Sequence, residues 1–223
     1  MIPLRDDRPT RTIAFVTVAI IILNALVFWH ELSLGNSEHV ESFFATFALT
    51  PAFLTHAPSV NSYLTIFTSM FLHGGWLHIL GNMLYLWIFG NNVEDSVGHF
   101  KFIVFYLLCG IAAAAAQVAI SPDSTVPMIG ASGAISEVLG AYLVLLPRAR
   151  VLALFPIWIF WRVFYVPAML MLALWFGMQL LSGLAVLHVD VNGGVAFWAH
   201  VGGFVAGILL TPIFKKRGVR LFQ

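Results

Sequence analysis

The chain has 223 residues, of which 60% are hydrophobic and only 9% are charged. A soluble domain carries roughly 25% charged residues, so this composition excludes an ordinary water-soluble globule and indicates a protein that lies in a lipid bilayer. The net charge of +1 does not suggest a nucleic-acid partner, and none is expected; the single cysteine, Cys109, excludes an intramolecular disulfide.

Six apolar stretches are long enough to span a bilayer, which takes about 20 residues as a helix. They predict an all-α membrane protein, a six-transmembrane-helix bundle in a single domain over residues 1–223. The stretches are Ile13 to Trp29, Leu64 to Phe89, Phe100 to Ile120, Gly130 to Pro147, Val166 to Leu187 and Ala196 to Phe214. The first is longer than the apolar region of a signal peptide, about 7 to 15 residues, so we interpret it as a retained span.

The eleven basic residues lie before span one, after span two, between spans four and five, and after span six. Because loops rich in Lys and Arg stay in the cytoplasm, both termini are predicted to be cytoplasmic. Residues 1–12 would then be a short cytoplasmic N-terminus, residues 215–223 a basic cytoplasmic tail, and residues 30–63 an external loop. The aromatic segment Phe43 to Leu54 predicts that this loop lies partly in the outer interface, with an ordinary packed loop as the alternative.

The second span carries three polar residues, His73, His78 and Asn82, in its predicted outer half. His78 and Asn82 are four residues apart and therefore share one helix face. Such side chains are costly in lipid unless they face the bundle interior, where they either mark function or bond neighbouring helices. Both interpretations stay open for this segment. A metal site is not expected, because there is no H-E-x-x-H motif.

Three further features are interpreted as structural. Glu94 and Asp95 precede span three, where carboxylates stabilise the start of a helix. Gln117, within span three, is predicted to bond a neighbouring helix. The inner connection from Pro147 to Val166 carries tryptophans beside arginines, which is typical of an aromatic belt at a membrane surface.

Spans four and six each carry a row of small residues at every fourth position. The rows are Ser132, Ser136 and Gly140 in span four, and Ala199, Gly203 and Gly207 in span six. Small rows permit close approach of two helices, so we expect these spans to pack together with Ser132 and His200 at similar depth. The small residues predicted to pack near the site are Gly130, Gly133, Ser136, Gly203 and Gly207.

A serine hydroxyl becomes a nucleophile when an adjacent base takes its proton, and histidine is the usual base. Ser132 and His200 are therefore predicted to form a catalytic dyad. A triad would need a carboxylate that orients the histidine, and none is evident, because Asp190 lies in an external loop. Acyl transfer also needs hydrogen-bond donors aimed at the developing oxyanion. The candidates are the side chains of His78 and Asn82 and the backbone amide of Ser132.

Span five has no ionisable residue and carries the bulky side chains of Trp175 and Phe176, which suggests a movable wall. The loop that follows, His188 to Val195, contains consecutive glycines and is interpreted as a flexible external lid over the site.

Four motifs occur in order along these stretches: H-G-G-W-L-H-I-L-G-N at 73–82, G-A-S-G at 130–133, L-P-R-A-R-V-L-A-L-F-P at 146–156 and A-H-V-G-G-F-V-A-G at 199–207. In these motifs the chain resembles the rhomboid family of intramembrane serine proteases over nearly its whole length. The resemblance implies a rhomboid-type bundle, Ser132 as nucleophile, His200 as its base, and His78 and Asn82 on the oxyanion. It further implies cleavage in or near the transmembrane segment of single-span protein substrates, entry governed by span five and the lid, and no metal or cofactor.

Two residues depart from the family pattern: Ser136 stands where bacterial members have a tyrosine against the catalytic histidine, and Glu137 where glycine is common. The leading hypothesis is an active protease, an integral multi-pass protein of a bacterial or archaeal cell membrane. One alternative is a non-catalytic rhomboid-like protein that binds membrane clients. Another is a channel or transporter, for which the expected internal repeat is not evident.

Overall fold

The computed structural model describes residues 1–158, 160–187 and 194–223, and this part of the chain is mostly helical. Its α-helices are α1 (Phe15–Ser33), α2 (Ser37–Phe47), α3 (Pro51–His56), α4 (Val60–Thr68), α5 (Trp76–Tyr85), α6 (Asn91–Val97), α7 (His99–Ile120), α8 (Ser132–Leu145), α9 (Ala168–Ala185) and α10 (Phe197–Phe214). Its strands are β1 (Ile2–Asp6), β2 (Arg150–Ile157) and β3 (Phe160–Pro167). The predicted lid, His188 to Val195, lies outside the described residues except at its last two positions.

Four of the described helices, α1, α7, α9 and α10, are long and apolar enough to cross a bilayer. This identifies an integral membrane protein with several apolar helices. α8 is shorter than its predicted span, with 14 residues from Ser132 to Leu145. The count of six spans and the cytoplasmic position of both termini therefore remain predictions.

The second predicted span is not one helix from residue 64 to residue 89. α4 ends at Thr68, a 3-10 turn follows at Ser69–Phe71, and α5 begins only at Trp76. The chain is non-helical between them because Gly75 adopts a φ of 153°, which side-chain-bearing residues rarely adopt. After α5, a π-helical turn at Leu86–Gly90 continues directly into α6. The prediction that His73 lies on the same helix as His78 is therefore wrong.

The prediction of an all-α fold is wrong in one region, where the connection after α8 forms a β-hairpin. β2 pairs antiparallel with β3, and β1 from the N-terminus pairs antiparallel with β2, in the order β1-β2-β3. The two hairpin strands are rich in branched and aromatic residues, which favour extended backbone. The aromatic segment interpreted as a membrane belt thus forms a β-hairpin, in which Trp161 is exposed on β3 and Trp158 is exposed in the turn after β2.

The predicted role of Glu94 at the start of α7 is corrected: Glu94 binds backbone amides of α1, and its contact with α7 is to the side chain of His99, whose Nδ1 lies 2.6 Å from Glu94 Oε1. Its carboxylate accepts the backbone N–H groups of Val16 at 3.0 Å and Thr17 at 2.7 Å, and also the Thr17 hydroxyl at 2.7 Å. The free amides at a helix start are natural partners for a carboxylate. The sequence therefore predicted the type of interaction correctly but assigned it to the wrong helix. Asp95 extends the same contact by accepting from Arg11 and Thr12.

α8 is the central helix, with eleven of its 14 residues buried. It packs against α10 through backbone, as the two rows of small residues predict. A Cβ added at Gly203 would overlap the carbonyl oxygen of Gly133, and one added at Gly140 would overlap the carbonyl oxygen of Phe204. This close approach brings the first turns of α8 and α10 side by side.

Candidate active site

Ser132 is the first residue of α8, and the turn before it depends on glycine. Gly130 has a φ of 117° and donates its N–H to the carbonyl oxygen of Ser69 at 2.9 Å. Ala131 then serves as the N-cap without a side-chain cap. The Ser132 side chain and backbone amide consequently lie at the positive end of the helix dipole, where negative charge is stabilised.

The structure brings Ser132 and His200 into direct contact. The Ser132 hydroxyl and His200 Nε2 are 2.7 Å apart, and His200 Nδ1 lies 2.8 Å from Oε1 of Gln179 on α9. An amide oxygen only accepts hydrogen bonds, so Nδ1 of a neutral His200 carries the proton and Nε2 presents its lone pair. The Ser132 hydroxyl therefore donates to Nε2, which is the arrangement that general-base chemistry requires.

The His200 ring is supported by α9, and Ser136 takes no part in orienting it. The Trp175 and His200 ring centroids are 5.9 Å apart with the planes tilted by 37°. The Ser136 hydroxyl instead donates to the carbonyl oxygen of Ser132 at 2.6 Å, within its own helix. The place of the tyrosine expected from the family pattern is thus not filled by residue 136, and the aromatic neighbour comes from another helix.

His78 and Asn82 on α5 reach the same turn of chain. A Cβ added at Gly130 would lie 2.6 Å from His78 Nε2 and 3.6 Å from Asn82 Nδ2, so both nitrogens face Gly130. The Gly74 N–H donates to His78 Nδ1 at 3.4 Å. In a neutral His78 this leaves the proton on Nε2, which points a donor toward the residues just before Ser132.

His73, which the sequence analysis left without a role in the dyad, orients Asn82. Its Nδ1 donates to the carbonyl oxygen of Phe71 at 3.3 Å, so its Nε2 accepts from Asn82 Nδ2 at 3.0 Å. An amide nitrogen has two hydrogens, which leaves one free to face Gly130. The backbone N–H of His73 is in turn held by the buried carboxylate of Glu31 on α1 at 3.1 Å.

A small cavity of about 40 Å³ adjoins Ser132 and is lined by Ser69, Met70, Gly110 and Met128, among others. A volume of this size admits water, which needs roughly 10–15 Å³ by the same measure. In the described ranges, no three His, Cys, Asp or Glu side chains are grouped so that they could hold a metal ion.

The contacts of α7 and the burial of Glu137 complete the surroundings of the site. Gln117 accepts the N–H of Ala199 at 3.3 Å, which confirms the predicted bond to a neighbouring helix.

Glu137 is fully buried one turn beyond Ser132, and within the described part of the chain its carboxylate makes no hydrogen bond. Sequence reasoning missed Gln179 and Glu31. The signal available for both was a polar residue inside an apolar helix.

The family model described as the Rhomboid domain matches residues 60–217, which include every side chain of the site except Glu31. The chain belongs to the rhomboid family. Rhomboid protease GluP of Bacillus subtilis (strain 168) is 29% identical over 203 residues, which are 91% of this chain and 34% of that protein. Rhomboid protein 1, mitochondrial, of Saccharomyces cerevisiae is 32% identical over 171 residues, 70% of this chain and 43% of that protein. Rhomboid-like protein 11, chloroplastic, of Arabidopsis thaliana is 29% identical over 109 residues, 49% of this chain and 38% of that protein.

These rhomboid relatives are longer than the chain, and they come from different cellular compartments. The matched part of the chain spans between 34% and 43% of each relative's own length. The names cover bacterial, mitochondrial and chloroplast proteins, so they give no support to a bacterial or archaeal membrane in particular. One relative is named a protease, and the other two are named only as rhomboid or rhomboid-like proteins. Membership of the family therefore supports a membrane protein but does not establish which reaction, if any, this chain catalyses.

Proposed function

We propose that the chain is an intramembrane serine endopeptidase in which Ser132 is the nucleophile and His200 is its general base. The observation that carries this proposal is the 2.7 Å contact between the Ser132 hydroxyl and His200 Nε2. The 2.8 Å contact on the other ring nitrogen supports it, because a proton held on Nδ1 keeps Nε2 free to accept one.

In the acylation step, Ser132 Oγ attacks the carbonyl carbon of the scissile peptide bond while its proton passes to His200 Nε2. The tetrahedral intermediate then collapses, the carbon–nitrogen bond breaks, and His200 gives the proton to the leaving amine. The product is an ester of Ser132 with the N-terminal part of the substrate.

The oxyanion of that intermediate would lie beside Gly130, facing Nε2–H of His78, the free N–H of Asn82 and the backbone N–H of Ser132. The approach of both side-chain nitrogens to Gly130 supports this assignment. Donors aimed at developing charge commonly contribute about 10²–10³ in rate each.

Deacylation repeats the sequence with water as the attacking group. His200 takes one proton from water, the hydroxide attacks the ester carbon, and the proton returns to Ser132 as its oxygen leaves. The cavity beside Ser132 is large enough for the water that this step consumes.

The proposed substrates are single-span membrane proteins cleaved in or near their transmembrane segment within the lipid bilayer. The proposed setting is one catalytic domain over residues 1–223 with six spans, both termini cytoplasmic, and residues 30–63 external and partly in the interface. Entry past α9 is part of this proposal. The packing of Trp175, a residue of α9, beside the His200 ring supports it.

The test uses the purified chain in lipid nanodiscs with a panel of single-span substrates and a fluorophosphonate probe for active serines. Ser132→Ala and His200→Ala are each expected to lower kcat by about 10³-fold or more, because the two residues act as a unit. Ser33→Ala and His30→Ala, exposed positions near the end of α1, are the matched controls and are expected to keep full activity. Cleavage that survives Ser132→Ala would overturn the proposal. Stable capture of substrates without cleavage or labelling would instead support a client-binding protein.

A further inference from the structure

We propose that Gln179 of α9 is a positioning residue for the catalytic base, acting as the third member of a Ser132–His200–Gln179 relay. The inference rests on the proposed proteolytic function and adds to it the group that fixes the His200 ring. Gln179 contacts His200 Nδ1 rather than Ser132, so its effect on the proposed reaction passes through the His200 ring.

The geometry restricts what Gln179 can do. Its Oε1 lies 2.8 Å from His200 Nδ1, a hydrogen bond of ordinary strength. As an acceptor it stabilises the one neutral tautomer that has a lone pair on Nε2, and it resists rotation of the ring away from Ser132. A carboxylate performs this task in other serine hydrolases. Across the described residues, the recorded partners of His200 side-chain nitrogens are Gln179 and Ser132, with no carboxylate among them.

The orienting group comes from a different helix than the dyad. Ser132 and His200 lie on α8 and α10, which meet through backbone at Gly133 and Gly203. α9 instead meets α10 largely through side chains, with the Phe176 and Phe204 rings stacked at a centroid distance of 4.7 Å. The relay is therefore complete only where α9 is packed against α10.

The charges around His200 decide how a test by pH is designed. His78 of α5 is a titratable side chain that faces Gly130 in the turn before Ser132, and α8 carries Glu137 one turn beyond Ser132. α7 and α9 present glutamines to this region, Gln117 and Gln179, which do not ionise. Within the described part of the chain, a carboxylate introduced at residue 179 would therefore be the only acidic group bonded to Nδ1.

The experiment measures kcat and KM for a single-span substrate in nanodiscs as a function of pH. Gln179→Leu removes the acceptor at similar volume, and it is expected to lower kcat about tenfold with KM nearly unchanged, as for loss of one hydrogen bond. Gln179→Glu keeps the acceptor and adds a negative charge. It is expected to retain kcat at its plateau while the acid limb of the kcat profile moves to higher pH by about one unit. Met178→Leu, exposed on the same helix, is the matched control and is expected to match the wild type.

The outcomes separate this inference from the proposed function. If Ser132→Ala is inactive while Gln179→Leu keeps kcat within twofold, the positioning role is overturned and the protease stands. It is likewise overturned if Gln179→Glu leaves the acid limb where it was, or if Met178→Leu loses as much kcat as Gln179→Leu. Thermal unfolding of both Gln179 variants checks that any loss of kcat does not come from a loss of folded protein.

Discussion

Gly203 of α10 lies directly against the carbonyl oxygen of Gly133 on α8, with no room for a Cβ between them. The neighbouring Ser132 and the nearby His200 thus meet because two backbones touch. The contact is rigid, since no flexible side chain lies between the helices at that point. The geometry of the dyad depends on the size of a residue that takes no part in the chemistry.

Gly203→Ala is expected to lower the free energy of unfolding by about 1–3 kcal/mol, because one helix must shift to admit the methyl group. The same shift separates Ser132 from His200, so kcat falls together with stability. The measurements are unfolding in mixed micelles and cleavage in nanodiscs. Gly177→Ala on α9 is the control: its Cβ would meet nothing within 4 Å, so it should be neutral or slightly stabilising. An unshifted Tm and unchanged kcat for Gly203→Ala would contradict the close packing.

Gly130→Ala should remove most of the activity by a different route. The residue has a φ of 117°, and the added Cβ would lie 2.6 Å from His78 Nε2, in the region assigned to the oxyanion. We expect kcat to fall by about 10²–10³, the cost of losing one oxyanion donor. The control is Gly81→Ala on α5, whose Cβ would meet nothing within 4 Å. A Gly130→Ala enzyme with kcat within twofold of the wild type would refute the assigned position.

Asp6 and Asp95 are expected to give pH dependences of opposite sign. Burial raises the pKa of Asp6 above its ordinary value of 3.8, although the hydrogen bond from Tyr142 lowers it in part. Burial also acts to raise the pKa of Asp95, but hydrogen bonds from Thr12 and Arg11, with the charge of Lys216, outweigh it and hold that pKa below 3.8.

For Asp6, the folded state binds the proton more tightly than the unfolded state, so stability falls as pH rises from 3.8 through the raised pKa. For Asp95, stability is present above 3.8 and is lost as pH falls through the lowered pKa. Asp6→Asn should therefore raise Tm at about pH 7, and Asp95→Asn should lower it. The difference in Tm between each variant and the wild type should become smaller at about pH 3. Tm shifts of equal sign at neutral pH would show that one of the two environments is wrongly described.

Glu137 is a fully buried carboxylate that has no role in the proposed chemistry. Its carboxylate makes no hydrogen bond among the described residues, and the buried Tyr106 hydroxyl likewise lacks a partner there. Glu137→Met keeps the length of the side chain and removes a buried polar group, so the free energy of unfolding should rise by about 1–3 kcal/mol. Glu41→Met at an exposed position should change it by less than about 0.5 kcal/mol. A less stable Glu137→Met protein would mean that the carboxylate has a structural partner.

Much of the site was predictable from local patterns. The rows of small residues on α8 and α10 predicted their backbone contact, because only small side chains allow it, and Ser132 and His200 followed at matching depth. The pair His78 and Asn82 followed from helical spacing. The β-hairpin was not predicted, because an apolar run of branched and aromatic residues suits a membrane surface as well as a strand.

The sequence by itself determined that the chain lies in a membrane, that it resembles the rhomboid family, and that Ser132, His200, His78 and Asn82 are the candidates for the proposed chemistry. These conclusions rest on composition, on spacing along helices and on short motifs, all of which are local. The tertiary structure decided which nitrogen of each histidine carries the proton, through Gln179 for His200, Gly74 for His78 and the Phe71 carbonyl for His73. It also decided that Glu94 binds α1. A hydrogen bond between side chains on different helices depends on angle and distance in three dimensions, and no periodicity along the chain encodes it.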